Sequence, residues 1–560
     1  MRPLDWAVLA GYLIAITSFG IWSGRGSRRM DDFFLAGRGM SWWAVGLSVM
    51  ATQISAITFI GTTGQAYTDG MRFLVFYFGL PLAMVILCAT LVPFFYRARV
   101  FTAYQYLEQR FDSRTRTLTS LLFLASRGLA VGVTLYAPSL VLSALLGWDE
   151  RATIFVMAGC TLAYVLYGGN KSVIWTDVAQ MAVIWFGIFL CFGIAVSQLP
   201  AGLGLRDALA LAQATGRLRV IDPSPSLSRP FTVWEGLIGG LFLMLAYFGC
   251  DQSQVQRYLS GRSLSHSRLS LLFNAWLKIP MQFLILLTGV LIFVFYHFHP
   301  IPLLWNRAEL GRLEAQAPQQ AATLRGRFDE AQAERARAAS AYLRQRSAAS
   351  RDEYLAADAA LLAARQEAVG AVERLSRKPY SDTNYIFPTY VLTQLPAGLS
   401  GLVIAVIFAA AMSALSGELS SLATASMVDF YGRFVRPDAS EADALLASRV
   451  LTALWGLFAA GVATQAGRLG SAIVVVNRFG SYFYGSILGV FALAVLTPRA
   501  TARGAFYGLL IGMLSVFLVS SLTPIHFLWY NVVGATTVFL AGLAIDAVDR
   551  SQATGRAATG

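Results

Sequence analysis

Two kinds of side chain in this sequence could do chemistry: rows of neutral oxygens, and a few charges set deep in apolar runs. Ser413, Ser416, Ser420 and Thr424 step by three, four and four, so they line one face of a helix. Neutral oxygens in a row suit a sodium ion, which needs oxygen ligands but little protein charge. Small residues also let helices approach closely, and that explains the neighbouring alanines equally well. Thr52, Gln53, Ser55 and Thr58 sit in the middle of another apolar run, with Gly61 and Gly64 following. A helix can break there, because nearby hydroxyls re-satisfy freed backbone groups, and unwound carbonyls at mid-depth are ligands for a small hard cation. Arg127 lies eleven residues beyond Arg116, about 16 Å along a helix. A guanidinium at that depth pairs with a solute carboxylate or with a protein acid, for example Asp251. Lys278, ten residues past Arg268, is equally deep and is read the same two ways, as part of a solute vestibule or as the partner of an acid. Asp177 follows Gly168-Gly169-Asn170-Lys171, where a helix dipole would favour it near an N-terminus. No histidine pair has metal-ligand spacing, and no Ser/His/Asp arrangement at mid-depth suggests hydrolysis. No catalytic residue is therefore expected.

The elements that carry these residues are set by composition. Of 560 residues, 56% are hydrophobic and 13% charged, with a mean hydropathy of +0.57. A soluble protein carries about 25% charged residues, so the solvent for most of this chain is lipid. That excludes a soluble enzyme, a nucleic-acid binder and a disordered chain. The net charge of +13 comes largely from arginines in short loops, where they set orientation. The four cysteines (Cys88, Cys160, Cys191, Cys250) lie in apolar runs without CxxC spacing, which suits neither a disulfide framework nor a metal site. The run Asp5 to Gly24 lacks a basic leader and a cleavage site, and reads as a true span.

About 20 apolar residues cross a bilayer. On that rule thirteen helical spans are expected, at 5–24, 42–66, 72–95, 119–146, 152–168, 175–198, 233–251, 269–297, 398–430, 446–466, 473–496, 503–521 and 525–546. Arg25, Arg28, Arg29, Arg38, Arg97, Arg99, Arg110, Arg114, Arg116, Lys171, Arg257, Arg262 and Arg268 fall in one set of loops. The short alternate loops hold only Arg72, Arg151 and Arg468. The rich side is read as cytoplasmic, placing the N-terminus outside and the C-terminal tail inside a bacterial inner (plasma) membrane. Residues 199–232 read as an outer loop with one short helix. Residues 306–385 are Ala-, Arg-, Glu- and Gln-rich and read as an outer helical hairpin of coiled-coil type. Pro318 interrupts its start, and Ser350 with Glu353 forms a capping-box pattern for its second helix. The insertion reads first as solvated and dispensable to the core. The alternative is self-association or docking of a periplasmic partner.

Several motifs then carry a resemblance. Phe33-Phe34-Leu-Ala-Gly-Arg38, the Trp42-Trp43 start, Ile54-Ser55-Ala56 before Phe59-Ile60-Gly61, and Gly168-Gly169 with Trp175-Thr176-Asp177 and Gln180 come in order. Asp251-Gln252 with Val255-Gln256-Arg257, then Ala411-Met412-Ser413 with Leu419, Asp429 and Tyr431, follow. Together they resemble the sodium:solute symporter family over roughly residues 5–300 and 385–500. The resemblance implies an all-α membrane protein of about 13 transmembrane helices, with a LeuT-type core of five-plus-five inverted repeats and the hairpin as an extramembrane insertion. The implied layout is 1–41 peripheral, 42–198 first repeat, 199–232 outer loop, 233–496 second repeat interrupted by 306–385, and 497–560 peripheral. The first helix of each repeat would be discontinuous, with solute binding beside the break. The positions matching the family's sodium site are Ala51, Ile54, Ala410, Ser413 and Ala414. Ala414 departs from the Ser or Thr of many members, so one oxygen is missing there. A second site in some members matches Asp177, Ser413 and Ser416, which could offset the loss.

For the solute, the positions of sugar-transporting members read Thr58, Tyr77 and Leu80, which are poor sugar ligands. The sialic-acid branch is nearer: Ser55 and Thr58 match its hydroxyls and Arg127 its arginine. Ser55, Thr58, Phe73, Tyr77, Arg127, Asp251 and Lys278 are the candidate solute-binding residues. The function expected is sodium-coupled symport by alternating access. An anionic sugar such as sialic acid, or another carboxylate, is the first choice of solute, and a neutral sugar or polyol the second. Sodium is the one ion required, and lipid, sodium and a small solute are the partners. The rivals are a transporter-like sensor, which would need an output domain that the short tail does not supply, and a proton-coupled or uncoupled carrier.

Overall fold

The computed structural model describes residues 1–200, 202–466 and 472–559, leaving aside the side chains of 144–146, 472–479 and 551–559. Arg468 lies outside the described residues. Helices account for nearly all the regular structure. Among the described residues the only β pairing is an isolated bridge between Met40 and Gly261. Among the described residues nine helices are long and apolar enough to cross a membrane, and two shorter apolar ones span Glu235–Cys250 and Gly480–Leu496. One of the nine, Glu150–Ser197, contains two spans, and another, Ala56–Ala98, joins the end of a broken span to the next one. The thirteen expected spans are accounted for in this way.

Two spans are interrupted at mid-length. The first runs as α1 (Trp42–Gln53) and α2 (Ala56–Asp69), separated by Ile54 and Ser55 in extended conformation. Ser55 caps α2, its Oγ accepting the Thr58 N–H at 3.3 Å. Next come α3 (Ser113–Leu146) and α4 (Glu150–Ser197). The chain turns inside α4 at Gly169 (φ 57, ψ −144), where a Cβ would lie 2.3 Å from the Phe33 carbonyl oxygen, so glycine is required on both counts. Spans 152–168 and 175–198 are thus two helices that meet at a sharp turn at Gly169, with no loop between them. The second interruption separates α5 (Gly240–Cys250) from α6 (Gln252–Leu259) at Asp251. Asp251 caps α6, its Oδ1 accepting from Ser253 N at 2.8 Å and from Ser253 Oγ at 2.7 Å. Each break exposes a helix N-terminus to the protein interior and gives it an oxygen cap.

These breaks face α7 (Leu264–Phe298), α8 (Leu399–Ala425) and α9 (Ala472–Leu496). Every residue of α8 from Val403 to Ala425 is buried, so this helix is the axis of the bundle. Its Ala- and Ser-rich face lets α1 approach closely: a Cβ on Gly417 would sit 2.7 Å from Thr52 Cγ2.

The hairpin forms from Pro318–Gln345 and Ala348–Ser376. Its second helix is capped by Ser347, whose Oγ accepts the Ser350 N–H at 3.2 Å, so the cap lies three residues before the Ser350 expected from the sequence. The hairpin is not freely solvated. Arg335 donates to the Tyr296 carbonyl at 2.7 Å and pairs with Asp358, which Arg217 also reaches. Tyr354 hydroxyl and His297 Nε2 are 2.7 Å apart. The expected short helix in 199–232 is Leu205–Ala214.

Candidate functional site

The break in α1–α2 opens onto a cavity of about 850 Å³, within the size range of small-molecule sites. It opens toward the side carrying the hairpin, since Asp69, Thr383 and Asn384 line its mouth. Of the candidate solute residues, Ser55, Thr58, Phe73, Tyr77 and Arg127 line it. Ser55 and Thr58 hydroxyls are 3.4 Å apart, and Phe73 and Tyr77 form part of an aromatic wall with Phe76 and Phe231. Asp251 and Lys278 are not on the cavity wall. Lys278 is fully buried behind Tyr77, its Nζ 5.2 Å from that ring and without a hydrogen-bond partner among the described residues.

Arg127 has protein partners. Its Nη1 donates to Glu418 Oε1 at 3.0 Å, and its Nη2 to Asp251 Oδ2 and to the Tyr484 hydroxyl. Tyr484 hydroxyl in turn donates to Asp251 Oδ2 at 3.0 Å. The rings of Tyr247 and Tyr484 lie 5.5 and 5.6 Å from the guanidinium, a cation–π arrangement. The arginine is therefore not free in this form of the protein, and Asp251 is its structural partner.

The candidate cation residues lie deeper, at the contact of α1, α4 and α8. Asp177 is fully buried. It accepts from Ser48 Oγ at 2.5 Å and from Ser413 Oγ at 2.6 Å. Ser416 Oγ donates to the Ser413 carbonyl at 2.9 Å. Asp177 is thus not an interfacial residue held by a helix dipole; it lies two turns beyond the Gly169 hinge and joins three helices. Ala51, Ile54, Ala410, Ser413 and Ser416 are all fully buried, and Ala414 touches the cavity. The set can supply a carboxylate, hydroxyls and the carbonyls freed at the break, which fits the oxygen preference of a small hard cation. Two further polar residues expected elsewhere are buried. Arg257, placed in a loop by the sequence reading, is fully buried on α6, and Arg116 pairs with Asp429 and Glu108.

Three site residues escaped the sequence reading. Glu418 lines the cavity, and an acid inside the otherwise uncharged α8 was the signal for it. Ser48 and Tyr484 carry no such signal, because hydroxyls are common in apolar helices. His526, expected in a loop, is at the cavity mouth and pairs with Glu235.

The sodium:solute symporter family model matches residues 33–316 and 359–512, leaving out the centre of the hairpin. The chain is 26% identical to the sodium/sialic acid symporter SiaT of Proteus mirabilis, over 96% of this chain and 94% of that protein. It is 25% identical to the sodium/sialic acid symporter NanT of Aliivibrio fischeri, over 96% and 92%. The fold matches a solved Na+-coupled sialic acid symporter in a substrate-bound, outward-open state, with TM-score 0.77, 24% identity and 98% of both chains covered.

Proposed function

We propose, on the premise that the chain belongs to the sodium:solute symporter family, that the 850 Å³ cavity is its solute site and the Asp177 cluster its sodium site. The protein is a multi-pass membrane transporter that couples sodium to the movement of a small solute. The observation that carries the site assignment is the meeting of the α1–α2 break, the cavity and a buried acid bonded only by hydroxyls. The repeats are assigned to 42–198 and 233–496, each beginning with its interrupted span. The N-terminus is assigned to the outside and the C-terminus to the cytoplasm.

In this reading sodium enters from the hairpin side and is held by Asp177, Ser413 and Ser416, with carbonyls of Ala51, Ile54 and Ala410. Ala414 contributes no side-chain oxygen. Bound sodium draws α1 and α8 together and fixes the break, and with it Ser55 and Thr58 at the cavity floor. The membrane potential supplies about 2.3 kcal/mol per charge per 100 mV for the electrical part of uptake. An anionic sugar such as sialic acid, or another carboxylate, is the first-choice solute; the named relatives and the presence of Arg127 on the cavity wall support it. A neutral sugar or polyol is the second, favoured by the prior engagement of Arg127 with Asp251 and Glu418.

Proteoliposomes containing the purified protein, given an inward sodium gradient, should accumulate labelled sialic acid. Replacing sodium with potassium should abolish accumulation. Uptake indifferent to the cation would remove the sodium-site assignment. Uptake of neutral hexoses alone would remove the anionic solute.

A further inference from the structure

The two acids on Arg127 are held very differently. Asp251 is fixed on both oxygens: Oδ1 accepts from Ser253 N and Oγ at the start of α6, and Oδ2 accepts from Arg127 and Tyr484. It is fully sequestered from the cavity. Glu418 has one bonded oxygen, Oε1 on Arg127 Nη1, while its Oε2 has no hydrogen-bond partner among the described residues. Glu418 is 6% exposed, and that exposure is to the cavity it lines. A buried carboxylate oxygen without a donor is costly, so Glu418 is the less firmly held partner. It also lies one turn beyond Ala414 on the cavity-facing side of α8. One guanidinium set against two carboxylates leaves the inner end of the cavity with an excess of negative charge. An anion entering there meets repulsion unless one acid moves aside, and only Glu418 lacks other bonds to break.

We infer that Glu418 is a specificity-determining residue, an internal carboxylate that holds on Arg127 the place a solute carboxylate would take. The inference rests on the reading of this cavity as the solute site. Glu418 competes with anionic solutes: a carboxylate binds by exchanging for it at Nη1, while Asp251 and Tyr484 keep the arginine in position through Nη2. A neutral solute has no such exchange to make. Glu418 therefore favours neutral hydroxyl-bearing solutes over carboxylates.

The test uses the purified full chain in saturating sodium, with sialic acid, its neutral methyl ester and acetate as probes. Glu418→Gln keeps an oxygen for Arg127 but removes the charge. It should tighten sialic acid relative to the ester by about tenfold, the scale of one charge-assisted hydrogen bond gained. Acetate should raise the thermal midpoint of Glu418→Gln but not of the parent. An unchanged acid-to-ester ratio, or equal weakening of both, would show that Glu418 merely braces Arg127 and would overturn the inference. If neither protein binds acid or ester, the solute assignment fails, and acetate alone decides: stabilisation confined to Glu418→Gln supports the competition, and none in either protein overturns it. Should Glu418→Gln fail to fold, Glu418→Asp, which withdraws the carboxylate by one methylene, should shift the ratio in the same direction, and no shift would count against the inference.

Discussion

Asp177 and Arg127 are both buried charges at the same bundle centre, yet their surroundings are opposite. Asp177 is bonded by the neutral hydroxyls of Ser48 and Ser413, whereas Arg127 is bonded by two acids and a phenol. Hydroxyls orient a carboxylate without cancelling its charge, and the buried Arg257 guanidinium, the one cation acting on Asp177 among the described residues, makes no hydrogen bond to it, so the cluster keeps carboxylate oxygens available to a small cation. Counter-charges occupy the guanidinium, so a ligand reaches it only by displacing one of them. The first arrangement is suited to bind and release an ion; the second is suited to hold helices α3, α8 and α9 together around the α5–α6 break.

The comparison is broken most directly by removing each charge. Arg127→Ala would leave Asp251 and Glu418 facing each other without a cation, and losing one partner of a buried ion pair costs about 3–5 kcal/mol. Folded yield and uptake should both collapse. Arg127→Lys keeps the charge but not the forked geometry, so it should recover yield with weakened uptake of carboxylates. Asp177→Asn should behave differently, because the amide oxygen still accepts from one serine hydroxyl while the amide NH2 can donate to the other. Folded yield should persist while the sodium concentration for half-maximal uptake rises by roughly 10- to 100-fold, the range for a lost charge-assisted contact. Normal yield in Arg127→Ala with sodium response intact would reverse the assignment of the arginine to structure.

Smaller changes sharpen the cation side. Ser413→Ala removes a hydroxyl that touches Asp177 and faces the proposed site, and should raise the sodium requirement by about tenfold. Ala414→Ser adds the oxygen that this chain lacks, at a position touching the cavity, and should lower the requirement a few-fold. Sodium titration of uptake in both variants checks the pair. Indifference to sodium in the parent and in both variants would replace sodium coupling with a proton-driven or uncoupled carrier.

The contrast between the two charges was only partly legible in the sequence. The breaks were, because Thr52 to Thr58 and Asp251-Gln252 are polar residues where lipid demands apolar ones. The stripe Ser413, Ser416, Ser420 was legible as periodicity, but not its acid. Asp177 lies close in sequence to Lys171 and Gly169, which made it look interfacial, whereas the helix that restarts after the turn at Gly169 carries it two turns inward to a fully buried position. Arg257 was misplaced for a related reason. A basic residue after an apolar run reads as a loop anchor, whereas here α6 is a short helix buried on all sides. The partner of Arg127 depended on pairing across almost 300 residues, from α3 to α8, which no local pattern encodes.

The smallest effect is expected farthest from both charges. The hairpin core, 317–358, falls outside the family match, and its contacts to the spans are made at their ends, through Arg335 to Tyr296 and Tyr354 to His297. Its two stems are already joined without it. Trp305 N–H donates to Asp382 Oδ2 at 2.6 Å, so the chain leaves and re-enters the bundle at one point and a short Gly/Ser linker can replace 307–379. The replacement leaves Arg217 its bond to the Tyr67 carbonyl at 3.0 Å while removing Asp358. It also takes Arg365 from Asp382, which keeps Trp305. With the contacts to Tyr296 and His297 also gone, four contacts are lost at about 0.5–1.5 kcal/mol each, which should appear as a thermal midpoint lower by several degrees. Sodium-dependent uptake should stay within about twofold of the parent, because no residue of the hairpin reaches the cavity floor or the Asp177 cluster. Loss of all transport in a well-folded deletion protein would show instead that the hairpin acts on the cavity mouth at Thr383 and Asn384, and that the outer insertion belongs with the transport core after all.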